Sequence, residues 1–420
     1  MTADRGNAPR PVSRSPDLSS ANTPVVNASS VDARFTSVMS ISTYVRLSSF
    51  YFFYFALFGA WLPYWPLYLQ QLGYSAASIG VLAAIMQATK VVAPNIWGWL
   101  ADRTQRRLRI IRCGAFAAIL VFSGIFWRQD FFWLIAIVTG YTFFWNAAHA
   151  QFEVITLGHL GAHYRYYSRI RLWGSVGFIG AVAGLGFVFD HISLNWLPWL
   201  LIALLAGIWC SSLTVSEPKP LPNAVVIKRG SFTAILRQPA VIAFFATCFL
   251  MQAAHGGYYT FFSVWLERNG YSRAATGLLW SLGVVAEIVL FWVMHHLMQR
   301  YTLRGLMLAS LALTAVRWLL IAYAVTNLPL LLFAQILHAA SFASYHACAV
   351  ELVRRFFTGG HEGQGMAMYS GLSWGLGGTI GALISGVLWT YSPAATFALA
   401  SLFALLGWLV AWRWVRIPAT

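Results

Sequence analysis

The sequence predicts an all-α polytopic membrane protein, with twelve transmembrane helices in two pseudo-symmetric six-helix bundles. Three observations predict it. Hydrophobic residues fill 59% of the 420 positions and charged residues 10%, where soluble domains carry about 25% charged residues. Apolar runs of the roughly 20 helical residues needed to cross a hydrocarbon core about 30 Å thick recur nearly end to end. The two halves also repeat. GYSAASIGVLAAIMQATK (73–90) aligns without gaps on GYSRAATGLLWSLGVVAE (270–287) at an offset of 197, with identities at Gly73, Tyr74, Ser75, Ala77, Gly80 and Leu82. Parallel six-helix repeats produce such a match.

Residues 1–40 are polar, rich in Ser, Pro and Asn, and lack the apolar core of a signal peptide. They are expected to form a disordered cytoplasmic tail, with Met39 an alternative start to Met1. Spans are expected near 47–70, 77–100, 108–128, 131–156, 169–189 and 195–214, making an N-terminal bundle over 41–214. The segment 215–237 holds three prolines and no membrane-length run, and reads as a cytoplasmic linker. Spans near 239–266, 274–298, 305–325, 329–352, 366–391 and 394–414 make a C-terminal bundle over 238–416.

The basic residues orient the chain. Arg103, Arg106, Arg107, Arg109 and Arg112 follow span two; Arg165 and Arg169 lie between four and five; Lys219, Lys228, Arg229 and Arg237 lie between six and seven. Arg300, Arg304, Arg354, Arg355, Arg413 and Arg416 fall on the same side, against Arg128, Arg268 and Arg273 opposite. This asymmetry puts both termini in the cytoplasm of a bacterial-type inner membrane. It also disposes of a nucleic-acid reading of the +16 net charge, because the charge comes in short groups between apolar segments. Cys113, Cys210, Cys248 and Cys348 sit in apolar segments at spacings that fit no metal site, and read as buried free thiols. The twelve acidic residues form no pair suited to a membrane-embedded enzyme. No cofactor is expected, and the expected state is a monomer in the lipid bilayer.

Ionisable residues inside a span are costly and are functional candidates by default. Lys90 lies twelve residues before Asp102, about 18 Å along a helix, near mid-bilayer. Glu287 holds the repeat-equivalent place at the same offset of 197, so the halves present opposite charges at one depth. Either they serve a site between the bundles or they lock the bundles as an ion pair. Arg317, in mid-span nine, keeps its charge and needs an anion; Glu287 is the nearest candidate, and a wet cavity is the alternative. Asn146, His149 and Glu153 share one face of span four. His346 is the repeat-equivalent of His149, and His338 lies one face along span ten. These histidines are candidates for a proton relay, or for plain interhelical hydrogen bonds. Gly256 and Gly257, beside Tyr258 and Tyr259, permit either a kink in span seven or close helix packing.

Gly98-Trp-Leu-Ala-Asp-Arg-Thr-Gln-Arg-Arg107 resembles the loop-two-three signature of the major facilitator superfamily, with Gln105 at a usual glycine. The resemblance implies a role in conformational switching for Gly98, Asp102, Arg103 and Arg106. RIRLWGSVGF (169–178), LWSLGVVAE (279–287), Val316-Arg317-Trp318 and ILHAASF around His338 are similar to the phenylpropionate permease family, related to lactose permease and to nucleoside–proton symporters. The resemblance covers about Leu47 to Trp414. It implies a secondary transporter, in which Glu153 and Arg171 match substrate-binding positions and Glu287, Arg317 and His338 match coupling positions. The proton-carrying carboxylate of span ten falls at Ser341, so the proton moves to Glu287, Glu153 or a histidine. The expectation is proton-coupled symport of a small organic solute by alternating access. An aromatic or other organic acid is favoured over a sugar or nucleoside because Lys90 adds positive charge. Lys90, Asn146, Glu153, Arg171, Trp173, Tyr258, Tyr259 and Arg317 are expected to bind it, with Trp61 beside them. Glu287, His149, His338 and His346 are expected to couple it to protons. A drug–proton exporter is the rival, weakened by a glycine-rich fifth span without proline.

Overall fold

A computed structural model of the protein describes residues 39–218 and 230–416. Residues 1–38 of the expected tail and residues 219–229 of the linker lie outside the described residues. Among the described residues, twelve helices are long and apolar enough to span a membrane: α1 Ile41–Gln71, α2 Ala76–Thr104, α3 Arg107–Phe126, α4 Phe131–Tyr164, α5 Tyr167–His191, α6 Leu194–Thr214, α7 Pro239–Arg268, α8 Arg273–Arg300, α9 Leu303–Tyr323, α10 Leu328–Phe356, α11 Glu362–Tyr391 and α12 Pro393–Trp414. An even number of crossings puts Ile41 and Trp414 on one face, called here the terminal face.

The helices begin where local chemistry satisfies their free amide donors. Ser40, Ser75, Asp130, Ser272, Thr302, Asn327 and Ser392 each cap a helix through a side-chain oxygen, and proline opens α7 and α12. The repeat is duplicated in geometry. Gly73 and Gly270 both take left-handed φ, 84° and 83°, where a side chain would be strained. Ser75 and Ser272 then cap α2 and α8 at 3.2 and 3.1 Å. Tyr74 and Tyr271 each donate a hydroxyl to a carbonyl of the next loop, at Gln129 and Val325. Gln105, at the usual glycine of the signature, has φ 54°. Its side chain donates to the Asp102 carbonyl at 2.6 Å.

Helices α1–α6 pack as one bundle and α7–α12 as another, meeting through α2 with α11, α5 with α8, and α1 with α7. With lipid as apolar as leucine, such seams rely on close backbone approach. A Cβ at Gly80 would sit 2.7 Å from Gly386 Cα, and one at Gly186 would sit 2.5 Å from the Arg273 carbonyl. Hydrogen bonds between bundles are found at mid-depth and toward the face opposite the termini. Asp190, at the end of α5, accepts from the Arg273 and Ala274 amides at 2.8 and 3.1 Å, and so caps α8 from the other bundle. Arg273 donates to the Phe189 carbonyl at 2.9 Å and to Glu267 at 3.0 Å, while Thr379 reaches the Ala84 carbonyl at 3.4 Å. These bonds clamp the bundles together on that face.

One alternative is decided and one expectation needs correction. α7 runs unbroken through Gly256 and Gly257, and Gly256 lies against the Gly381–Ala382 backbone, the close-packing alternative for span seven. Irregularity falls elsewhere, at a turn at Asn146–Ala147 in α4 and at π-helical turns Ala340–Ser344 in α10 and Gly371–Gly377 in α11. Of the four free thiols, Cys248 and Cys348 are buried, but Cys113 and Cys210 are exposed on the outside of α3 and α6.

Asp190→Ala removes the cap that one bundle places on the other. It should favour parting of the clamped face by about 1–2 kcal/mol, roughly 5- to 30-fold in population. The readout is the labelling rate, from that face, of a cysteine at buried Val182 in a background without the four native cysteines. An unchanged rate would show that the clamp is held by packing alone.

Candidate functional site

A cavity of about 390 Å³ lies between the bundles at mid-depth, walled by Tyr54, Phe55, Phe58, Trp145, Phe342 and Trp374, with Lys90, Asn146, His149, Arg171, Tyr259 and His346 among its polar lining. A second lobe of about 160 Å³ shares Phe55, Phe58, Leu62, Arg171, Tyr259 and Phe342 with it and adds Glu287 and His338. The two lie side by side across these shared residues.

The N-terminal half supplies cations. Lys90 Nζ donates to Gln87 Oε1 at 2.6 Å and lies 5.3 Å from the Phe58 ring centre. The Arg171 guanidinium stacks 3.8 Å over Phe55. Neither forms a salt bridge among the described residues. Asn146, at the turn in α4, lines the cavity, and its Nδ2 donates to Thr89 Oγ1 at 3.1 Å. The C-terminal half supplies the acid: Glu287 Oε1 lies 2.5 Å from His338 Nε2. Lys90 and Glu287, expected at matching depth, both reach the cavity, each with a neighbour from its own half, and they do not form an ion pair with each other.

Several expected site residues lie outside this lining. Arg317 is fully buried. It does not pair with Glu287: its Nε and one terminal nitrogen donate to the Ala334 carbonyl at 3.1 Å and Ser341 Oγ at 3.0 Å, and the Tyr258 and Trp318 rings flank it at 4.2 and 4.4 Å. Aromatic faces stabilise a desolvated cation without an acid. Tyr258 belongs to that box, with its hydroxyl on Gln335 at 3.0 Å, and does not line the cavity. Trp173 is two residues from Arg171 and so projects from another side of α5; it is 40% exposed and donates to the Tyr44 hydroxyl at 2.7 Å. Glu153 is set back, accepting from Tyr167 at 2.8 Å with His149 at 3.7 Å. Trp61 stacks on Trp65 at 4.3 Å, in a small pocket on the clamped side. Phe55, Phe342 and Trp374 were missed. They carry no charge, and nothing in an apolar run distinguishes a cavity-facing aromatic from a lipid-facing one.

The loop-two-three residues form a separate cluster on the terminal face. Arg107 bridges Asp102 and Gln151 of α4, Glu217 accepts the Leu108 amide at 2.9 Å, and Arg103 lies over Trp99. Gly98 faces open space near Gln151, and Arg106 borders a groove outside α2 and α3.

The profile of the MFS_1 like family matches residues 44–399. The chain belongs to that family. Its relatives include an Escherichia coli (strain K12) protein named "Probable 3-phenylpropionic acid transporter", 29% identical over 84% of this chain and 93% of the relative. Another is the maltose permease of Geobacillus stearothermophilus, 24% identical over 86% of this chain and 92% of the relative. The crystal structure of the nucleoside transporter NupG shares the fold, with a TM-score of 0.74 at 18% identity over 90% of this chain and 100% of that one. So does a bacterial homologue of the human lysosomal transporter Spinster, with a TM-score of 0.64 at 14% identity over 91% and 100%. This MFS_1 like protein is a multi-pass secondary transporter.

Cysteines placed singly at Lys90, Tyr259 and His346 in a cysteine-free background should react with a water-soluble thiol reagent from the terminal face and be protected by bound substrate. One at Trp173 should react without substrate protection. Protection at Trp173 and none at Lys90 would move the site out of this cavity.

Proposed function

We propose that this transporter carries a small aromatic carboxylate together with a proton. The observation that supports this most directly is the asymmetry of the cavity: two cations without acid partners in one half, a carboxylate–imidazole pair in the other, and aromatic walls between. A monoanion fits the cationic half, where charge-assisted hydrogen bonds to Lys90 and Arg171 are stronger than neutral ones. Its ring fits against Phe55, Phe58 and Phe342. The phenylpropionic acid named for the E. coli relative has this chemistry.

Coupling follows from charge in a low-dielectric passage. Glu287 and His338 touch through Oε1 and Nε2, so a proton taken from water can rest on the pair. Loaded with one proton and one carboxylate, the site has gained no net charge and can be occluded at the same electrostatic cost as when empty. Loaded with either alone, it has gained one. Binding both therefore favours reorientation of the bundles around the cavity. Arg317, boxed behind His338, holds positive charge near the pair without competing for substrate. We further propose an inner-membrane location with cytoplasmic termini, as the arginine asymmetry supports. The terminal face is then cytoplasmic, and the described state faces inward. A monomer contains the whole site.

Reconstituted protein tests this under an imposed pH gradient. Glu287→Gln should abolish gradient-driven accumulation of 3-phenylpropionate while retaining exchange of substrate across the membrane; undiminished accumulation would remove Glu287 from coupling. Lys90→Met should weaken binding of the acid by about 1.5–3 kcal/mol, roughly 10- to 100-fold, in a competition assay. Unchanged affinity would show that Lys90 does not hold the carboxylate.

A further inference from the structure

The two π-helical turns among the described residues, Ala340–Ser344 and Gly371–Gly377, meet at one place. π-helical turns are rare and recur at functional sites. Here they bring Phe342 and Trp374 together edge to face at 5.6 Å, with His346 parallel to Phe342 at 6.0 Å and next to Trp374 at 6.4 Å. Phe342, His346 and Trp374 all line the larger lobe of the cavity. Behind them, the buried Tyr369 hydroxyl lies 3.0 Å from His346 Nδ1.

That bond sets the imidazole. Trp374, which also bonds the Tyr369 hydroxyl, can only donate, so the ring nitrogen is the acceptor found for the hydroxyl hydrogen, and a buried hydroxyl hydrogen left unpaired is costly. Tyr369 therefore donates, Nδ1 accepts, and the imidazole proton sits on Nε2. Nε2 has no protein partner and is not enclosed by protein, on a residue that borders the cavity. The result is a neutral hydrogen-bond donor on the C-terminal wall, while Lys90 and Arg171 stand on the N-terminal wall.

A carboxylate prefers the charged donors. A ring held with its carboxylate toward Lys90 and Arg171 turns its far edge toward Phe342, Trp374 and His346. We infer that His346 Nε2–H, positioned by Tyr369, forms a subsite for an oxygen substituent on the aromatic ring. The substrate class is thereby narrowed to aryl-alkanoic acids bearing a hydroxyl, methoxy or carbonyl group distant from the carboxylate. This rests on the aromatic-acid reading above.

The test measures binding of three probes to the purified full chain: 3-phenylpropionate, 3-(3-hydroxyphenyl)propionate and 3-(4-hydroxyphenyl)propionate. One neutral hydrogen bond predicts that wild type binds a hydroxylated acid roughly 3- to 10-fold tighter than the unsubstituted one. In His346→Phe this ratio should fall to about 1. In His346→Gln, whose amide still donates, it should stay above 1. In Tyr369→Phe it should be intermediate, because Nδ1 is no longer pinned, whereas a merely structural tyrosine would weaken all three acids alike. A wild-type ratio near 1, or a wild-type ratio kept by His346→Phe, overturns the subsite, and so does equal weakening of all three acids by His346→Phe, which would place the carboxylate at the imidazole. If wild type binds none of the three, the aromatic-acid reading fails and the subsite fails with it.

Discussion

Charge that cannot return to water governs this molecule. Every ionisable group at mid-depth needs something that moderates its field, and each solution found here does a different job. Arg317 is answered permanently, by a carbonyl, a hydroxyl and two ring faces. Glu287 is answered by His338, a partner that can also exchange a proton. Lys90 and Arg171 have a glutamine and ring faces and no carboxylate. The permanent solution lies behind the cavity wall, and the incomplete ones lie on it. A ligand that completes them is selected by that arrangement.

The backbone departs from regular helix where the lining demands it. A straight helix presents a given face once per turn, which restricts the large side chains it can aim into one void. The turn in α4 and the π-helical turns in α10 and α11 relax that restriction and bring Asn146, Phe342 and Trp374 to the cavity. Glycine in α7 does the opposite. It gives up side chain to let α11 approach, which keeps α7 a rigid rod behind Tyr259.

Much of the fold was legible because membrane burial is coded by composition over twenty residues at a time. The spans and the GYS repeat follow from apolar length and identity at one offset. Lys90, Glu287 and His338 were legible for the same reason, being polar exceptions in apolar runs. Direction within a helix was not. Arg317 and Lys90 look alike in sequence, yet one is boxed and the other faces the void; Trp173 and Arg171 are two residues apart and diverge. The match of Glu287 to Arg317 failed because rings substitute for an acid, and an aromatic partner carries no distinguishing mark among 68 Phe, Trp and Tyr residues. The Asp190 clamp was missed because an aspartate at a span end reads as a solvated terminus until the other bundle's helix start is beside it.

That clamp sets the energy scale of the cycle. Driving a two-state equilibrium from 1:99 to 99:1 takes about 5.5 kcal/mol of differential binding. Asp190 with two amide donors and Arg273 with one carbonyl make three charge-assisted bonds between bundles. Each is worth roughly 1.5–3 kcal/mol at most, and less where water reaches it. The three together come to about 4.5–9 kcal/mol at most, and less where water reaches them, a range that the proposed carboxylate on two cations and proton on Glu287 can match. A seam of large interdigitated side chains would have fixed the closed face beyond that range. Backbone-on-backbone contact at Gly80 and Gly186 leaves little shape to unlock, so the polar clamp is the part that a bound substrate must outweigh.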